Sequence, residues 1–353
     1  MTADARKPRR RSIALRIFLV LAFLLLLAIA ATGGASYWAM QRFDQPGPAG
    51  ADTLVMLDQG DGLVKIAAKL EAAGIITQND PFGLGILDDQ SIFKLGVRYA
   101  EMQGKLKYGE YLIPAHASMR QVMELFVAGK VIQYRVTAAE GLTSQMILRI
   151  VQADPVLTGE VRAAPAEGTL LPETYLFTRG TTRADMLRRM AKAHTDLATK
   201  LWENRAKDLP YTTLEEAVIL ASIVEKETGL ATERPQVASV FVNRLRLGMR
   251  LQSDPTIIYG LTGGEPLGRG LRRSELDKPN PYNTYQIDGL PPGPISNPGR
   301  ASLEAVMNPP DTEYLYFVAD GTGGHAFAKT LAEHEKNVAK WREIERERAK
   351  ETP

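Results

Sequence analysis

Thr213-Leu-Glu-Glu-Ala-Val-Ile-Leu-Ala-Ser-Ile-Val-Glu-Lys-Glu-Thr-Gly229 is the stretch on which the reading of the larger part of this chain turns. Thr213 and Glu216 match a capping box, in which the hydroxyl accepts from the third backbone amide and the carboxylate reaches back to the first. Gly229 is expected to supply the stop. Between these signals, Ala217 to Val224 is apolar nearly all round, the pattern of a helix through the centre of a domain. The helix then ends in Glu225 and Glu227. Side chains two positions apart on a helix point about 200° from each other, so at most one of these carboxyls faces a given site. In the last turn, the negative end of the helix dipole and apolar surroundings both disfavour the carboxylate. That raises a carboxyl pKa, as a general acid near neutral pH requires. The plain alternative is a terminal glutamate held on the surface by a lysine or arginine.

Outward from this helix, residues 131–345 read as one large mixed unit. Thr182 to Ala206 is expected as a long amphipathic helix, Tyr314 to Val318 as a strand, and Leu331 to Lys350 as a charged helix with a solvated face. Beyond Met249 the chain turns rich in Gly, Pro, Asn and Tyr, so loops there are expected to wall a cleft. Upstream, residues 52–130 form a small module. Leu63, Ile66, Ala67 and Leu70 mark one face of a helix that Gly74 would stop. Ser118 to Gln121 is a second capping box, with Val122, Leu125 and Phe126 as the apolar stripe and Gly129 at the end. Lys107 to Ile113 between them reads as a strand.

Residues 39–51 are expected as a linker, from Gln45-Pro-Gly-Pro-Ala-Gly50. Before it, Ile17 to Trp38 holds no charged residue. About 22 residues at roughly 1.5 Å each span about 33 Å, enough to cross a hydrocarbon core. Arg6, Lys7, Arg9, Arg10, Arg11 and Arg16 crowd residues 1–16, and Tyr37 and Trp38 sit where an interfacial aromatic belt would lie. A retained transmembrane helix at 17–38 is therefore expected, with the N-terminus cytoplasmic and the rest outside. A cleaved signal peptide is the competing reading, but its apolar region is usually shorter, and the small residues around Gly33 to Ala35 make a poor cleavage site. Residues 346–353 are read as a tail. The fold class expected is α+β: one membrane helix, a small α+β module and a larger α+β domain.

Composition removes several chemistries. With no cysteine there is no thiol catalysis, Cys-ligated zinc or disulfide. His116, His194, His325 and His334 are scattered, without the His-Glu-x-x-His spacing of a zinc site. No nucleophile elbow, Walker loop or dinucleotide fingerprint occurs, and Thr322-Gly-Gly-His325 lacks the spacing of a phosphate cradle. A net charge of +2 gives no pull toward nucleic acid. No metal and no cofactor are expected, and no nucleic-acid partner.

Ala221-Ser-Ile-Val-Glu-Lys-Glu-Thr228 resembles the signature of the YceG-like endolytic murein transglycosylases. Further blocks match in the same order: Val237 to Leu245, Gly248 to Gly260, Tyr282 to Tyr285, Gly289 to Gly293, and Tyr314 to Gly321 followed by Gly324-His325. The likeness extends over the anchor and the 52–130 module, which resembles the family's LysM-like domain; a spacer role is the plainer reading of that module. The resemblance implies a membrane-bound enzyme, a carbon–oxygen lyase, that cuts peptidoglycan glycan strands between N-acetylmuramic acid and N-acetylglucosamine and leaves 1,6-anhydro ends. It implies termination or trimming of nascent strands, with peptidoglycan synthases as possible partners. The glutamate before the hydroxyl residue Thr228 maps to the catalytic acid/base, which is Glu227, with Glu225 as the fallback. Glu173, Gln252, Asp254, Tyr259, Tyr282, Asn283 and Tyr285 fall in matching blocks and are candidates for lining the saccharide cleft. A turn or packing role competes for each, and Asp254 before Pro255 is a natural turn opener. His325 after two glycines is expected to be structural. Two other functions stay open: a hydrolysing muramidase using Glu227 with Asp254 or Glu173, and a non-catalytic wall-binding scaffold.

Overall fold

A computed structural model describes residues 9–78 and 87–351. Arg6 and Lys7 of the basic tail, and the last two residues of the C-terminal tail, lie outside that range. The described chain is mixed α and β, and its strands occur as three separate antiparallel pairs. By contacts it divides into two compact units at Gln133/Tyr134.

The first helix, α1 (Arg9–Asp44), is longer than the apolar run inside it. Ile13–Asp44 has a mean hydropathy of 2.9 in its most apolar window and is long enough to cross a membrane. Phe18, Leu19, Leu21 and Leu25 are all more than half exposed, a ring of apolar side chains that water does not tolerate on a monomer surface. The helix is roughly 54 Å long, against about 30 Å of hydrocarbon, so turns are left over for packing against protein.

Those turns correct the expectation of a linker at 39–51. Residues 40–44 stay helical, and Phe43 is buried in the core of the first unit. A Cβ at Gly96 would come within 2.3 Å of the Phe43 ring, so only glycine fits beneath it. Arg42 grips the buried Asp89 with two hydrogen bonds of 2.9 and 2.8 Å, and Arg120 lies over the Phe43 ring while pairing with Asp44. Even the Pro/Gly stretch is docked, through Gly47 N to His116 O and His116 N to Ala49 O. Proline and glycine exclude regular structure, but they do not exclude ordered contact.

The first unit continues as β1 (Thr53–Leu57), α2 (Leu63–Ala72), α3 (Asp89–Tyr99), β2 (Gly109–Ile113) and α4 (Met119–Ala128). β1 and β2 pair antiparallel from Thr53↔Ile113 to Leu57↔Gly109. The capping box at Ser118 has both of its hydrogen bonds, and Gly129 ends α4 in the left-handed region. Helix α3, capped by Asp88, makes three helices where the periodicity predicts two. Tyr111, Phe93 and Phe126 fill the centre, Tyr111 meeting Phe126 edge-on at 4.7 Å.

The second unit opens with β3 (Tyr134–Thr137), α5 (Ser144–Ala153) and β4 (Thr174–Phe177), β3 pairing with β4. Then come α6 (Arg183–Glu203), α7 (Leu214–Glu227), α8 (Arg234–Arg246), α9 (Asp254–Thr262), the single turn α10 (Arg273–Leu276) and α11 (Arg300–Met307). The chain finishes with β5 (Tyr316–Ala319), β6 (His325–Ala328) and α12 (Leu331–Glu351). As the all-apolar pattern predicts, α7 is the central helix: every residue from Ala217 to Glu225 is buried, against α6, α8, α9 and α11. The capping box at Thr213 is complete. The stop, however, is not Gly229. Thr228 leaves the helix in extended conformation, and its hydroxyl accepts from Leu230 N, so the turn that follows is held by a side chain rather than by a left-handed glycine.

Candidate active site

Glu225 and Glu227 leave the end of α7 in different directions, and the protein treats them differently. Glu225 is buried, and its lone pairs are committed to structure. Oε1 accepts from Arg234 Nη2 at 2.8 Å; Oε2 accepts from Gly299 N at 2.9 Å and Ser302 Oγ at 2.7 Å. It therefore caps the N-terminus of α11, where a helix welcomes negative charge, and ties α7 to α8. Arg234 also holds Glu140 at 2.9 Å. The fallback assignment to Glu225 finds no support in this geometry.

Glu227 keeps some accessible surface. Its Oε1 accepts from Ser253 Oγ at 2.5 Å, while among the described residues no hydrogen bond reaches Oε2. Desolvation pushes its pKa up to about 7; the Ser253 hydrogen bond opposes this, the negative charge of Asp254 adds to it, and His325 and Arg244 pull the other way. Of the two causes expected from sequence, the apolar surroundings are the main one. A donor with this pKa is half spent at neutrality. Activity that depends on protonated Glu227 is expected to be flat below about pH 6 and to fall tenfold per pH unit above about pH 8. A profile of kcat/KM across pH 5 to 9 checks this.

Ser253, Asp254 and Tyr285, from the loop-rich segment after α8, reach Glu227 by hydrogen bond or charge, and of the other candidates all but Glu173 lie in that segment. Gln252 has an exposed side chain and a left-handed backbone, φ +51°. Asp254 opens α9 and accepts from Tyr285 Oη at 2.8 Å; the Asp254 charge acts on Glu227, and the Glu227 charge in turn adds to the burial that holds the Tyr285 hydroxyl protonated. Tyr259 and Tyr282 face each other with ring centroids 4.9 Å apart, and the Tyr259 hydroxyl lies 3.5 Å from Glu167 Oε2. Two candidates have other commitments. Asn283 is fully buried, its amide spent on Leu276 O and Lys278 O and its oxygen on Tyr285 N; it shapes the turn that presents the tyrosines. Glu173 is exposed at the edge of β4, and its charge acts on Tyr175.

Three further residues shape this part of the chain: Arg244 and His325, which fall in matching blocks, and Glu167, which falls in none. Buried Arg244 bonds Leu315 O at 2.7 Å and Leu251 O at 2.6 Å, and burial pushes its pKa down. His325 is held as expected of a structural residue: Glu233 accepts from its backbone N at 2.9 Å and meets its Nδ1 at 2.8 Å. Glu167, raised by burial, bonds Ser144 N and Asn297 Nδ2 and so fastens the start of α5 to the 293–299 loop. Among the described residues no three His, Cys, Asp or Glu side chains converge as a metal site would require.

The model of the YceG-like family matches residues 55–340 of this chain. The endolytic murein transglycosylase of Bacillus subtilis (strain 168) is 39% identical over 178 residues, which are 50% of this chain and 48% of that protein. A protein of the same name from Streptococcus pneumoniae serotype 2 (strain D39 / NCTC 7466) is 27% identical over 368 aligned positions, covering 91% of this chain and 64% of its own. The chain thus spans from about half to under two thirds of the length of these relatives. A 2.6 Å crystal structure of a yceG-like protein from Listeria monocytogenes is 30% identical, with 81% of this chain and 98% of that one covered and a TM-score of 0.46.

Proposed function

The chain belongs to the YceG-like family, and on that premise we propose that it is an endolytic murein transglycosylase with Glu227 as its acid/base. One observation carries the assignment: the last residue of a buried helix bears a carboxyl fixed by Ser253 at one oxygen and, among the described residues, without a hydrogen bond at the other, and burial pushes its pKa up to about 7. Protonated Glu227 donates to the glycosidic oxygen between N-acetylmuramic acid and N-acetylglucosamine as positive charge develops at C1. The carboxylate so formed takes the proton of the muramoyl 6-hydroxyl, whose oxygen closes onto C1 and leaves a 1,6-anhydro end. Because the nucleophile belongs to the substrate, the second carboxylate of a hydrolase is not required. The paired rings of Tyr259 and Tyr282 suit the apolar face of a sugar, and exposed Gln252 suits its acetamido or hydroxyl groups.

The rest of the chain is read to match. Residues 17–38 anchor it in the cytoplasmic membrane with the N-terminus inside, residues 52–130 are a LysM-like module, and residues 131–345 are the catalytic domain. The strand, helix, helix, strand order of β1, α2, α3 and β2 supports the LysM-like reading. Tethering at the membrane suits an enzyme that terminates or trims strands as synthases extend them.

One observation favours a second reading. Asp254 lies close enough to raise the pKa of Glu227, and a muramidase would use such a carboxylate to activate water. Mass spectrometry of glycan digested by the full chain separates the two. Anhydro-muramoyl ends are expected; reducing ends, heavier by one water, would replace the transglycosylase with the hydrolase, and no cleavage would leave a scaffold.

A further inference from the structure

We propose that Ser253 is a positioning residue, whose hydroxyl fixes which oxygen of Glu227 carries the reacting proton and which is itself aimed by a closed ring of hydrogen bonds through Thr256 and Thr284. The inference rests on the assignment of Glu227 as the acid.

The ring is set by counting donors. Ser253, Thr256 and Thr284 are each 1% exposed or less, so their polar groups must find protein partners. Ser253 N donates to Thr284 Oγ1 at 2.9 Å, and Thr256 Oγ1 donates to Ser253 O at 2.6 Å. The 2.9 Å contact between Thr256 Oγ1 and Thr284 Oγ1 then takes the Thr284 hydroxyl as donor, because the Thr256 proton is already used and the other acceptor within reach of Thr284 Oγ1, Ser253 O, is farther away at 3.5 Å. Each of the two threonines gives its one proton and the ring closes on the backbone of Ser253. Gln252 N to Thr284 O at 3.1 Å anchors it from the other side.

The Ser253 hydroxyl is left with one use. Its only hydrogen bond among the described residues runs to Glu227 Oε1, so its proton goes there. Oε1 is thereby held as an acceptor, and the acid proton resides on Oε2, the oxygen without a hydrogen-bond partner among the described residues. The backbone that brings Ser253 into place is held in an uncommon state: Gln252, immediately before it, sits at φ +51°, a conformation that non-glycine residues adopt only where surrounding contacts impose it. Other charged or titratable groups also face Glu227, namely Asp254 at the start of α9, Arg244 from α8, His325 from β6, and the neutral phenol of Tyr285. None of them donates a hydrogen bond to its carboxyl, so the orienting role falls to Ser253.

The test uses the full chain in detergent, with the Glu227 carboxyl titrated by 13C NMR so that the readout does not depend on turnover. The Ser253 bond favours the charged carboxylate, so Ser253→Ala is expected to move the Glu227 titration up by about one pH unit. The alkaline limb of the rate profile should move with it, kcat should fall about 10- to 100-fold, and KM should change little. Thr284→Val keeps the serine but opens the ring, and is expected to lower kcat in the same sense by a smaller factor. If folded Ser253→Ala leaves the titration and kcat where they were, the proposal is wrong, and a drop in thermal stability alone would mean a packing role. Should Ser253→Ala not fold, Thr284→Val decides: unchanged kcat overturns the ring. Failure of the underlying assignment looks different, since Glu227→Gln would then remain active.

Discussion

Glu227→Gln is expected to lose about a thousandfold or more in kcat while gaining stability at alkaline pH. The amide keeps the shape of the side chain and can still accept from Ser253, but it has no proton to give; general acid catalysis supplies roughly 10²–10⁴ in rate, and in the proposed mechanism one group serves both proton transfers. The stability change follows from the same burial. A carboxyl raised from its ordinary 4.5 to about 7 in the folded chain favours folding fully below about pH 4.5. That contribution is lost progressively as pH rises through about 7, above which the folded state holds a charge that it disfavours. A neutral glutamine has no such loss. At pH 8 the variant should exceed wild type by roughly 1–3 kcal/mol, and the two should converge at pH 5. Parallel denaturation at both pH values, with glycan cleavage measured on the same preparations, reads both effects. An inactive variant that is less stable at pH 8 would mean that Glu227 acts in folding rather than in chemistry.

Arg234→Met should cost about 3–5 kcal/mol, because it strands the Glu225 carboxylate inside the protein. The side chains of Arg234 and Glu225 are only 8% and 3% exposed, and Glu225 also receives the N-terminus of α11. Glu225→Gln keeps the shape and an acceptor, so it is expected to lose stability but to retain kcat within about tenfold in the molecules that stay folded. Urea titration gives the first quantity and initial rates on purified glycan the second. Loss of activity in Glu225→Gln at full stability would transfer the acid role from Glu227 to Glu225.

How far the sequence reaches is clearest at these two glutamates. The capping box, the all-apolar run and the position of both carboxyls at the helix end are local facts, legible from spacing alone. That only one of the two can face a site follows from helix geometry. Which one is available depends on Arg234, Gly299 and Ser302, the last two more than 70 positions away, and no local pattern announces them. Asn283 shows the converse error: a polar side chain in a loop-rich block reads as a ligand contact until the carbonyls of Leu276 and Lys278 are found on it. No local pattern marks Ser253 either, since its hydroxyl meets Glu227, 26 positions earlier, only in the fold. The segment at 39–51 reads as a linker for the same kind of reason, since Phe43 finds its place only when Gly96 comes beneath it.

What the sequence alone determined, then, is everything encoded by periodicity, capping and run length: a helix fit to cross a membrane, the central helix of the larger unit, and two carboxyls presented at its end. Tertiary structure decided the chemistry of those carboxyls. Desolvation and hydrogen bonding depend on which atoms arrive from distant parts of the chain, and a pKa is set by those neighbours rather than by the residue that bears it.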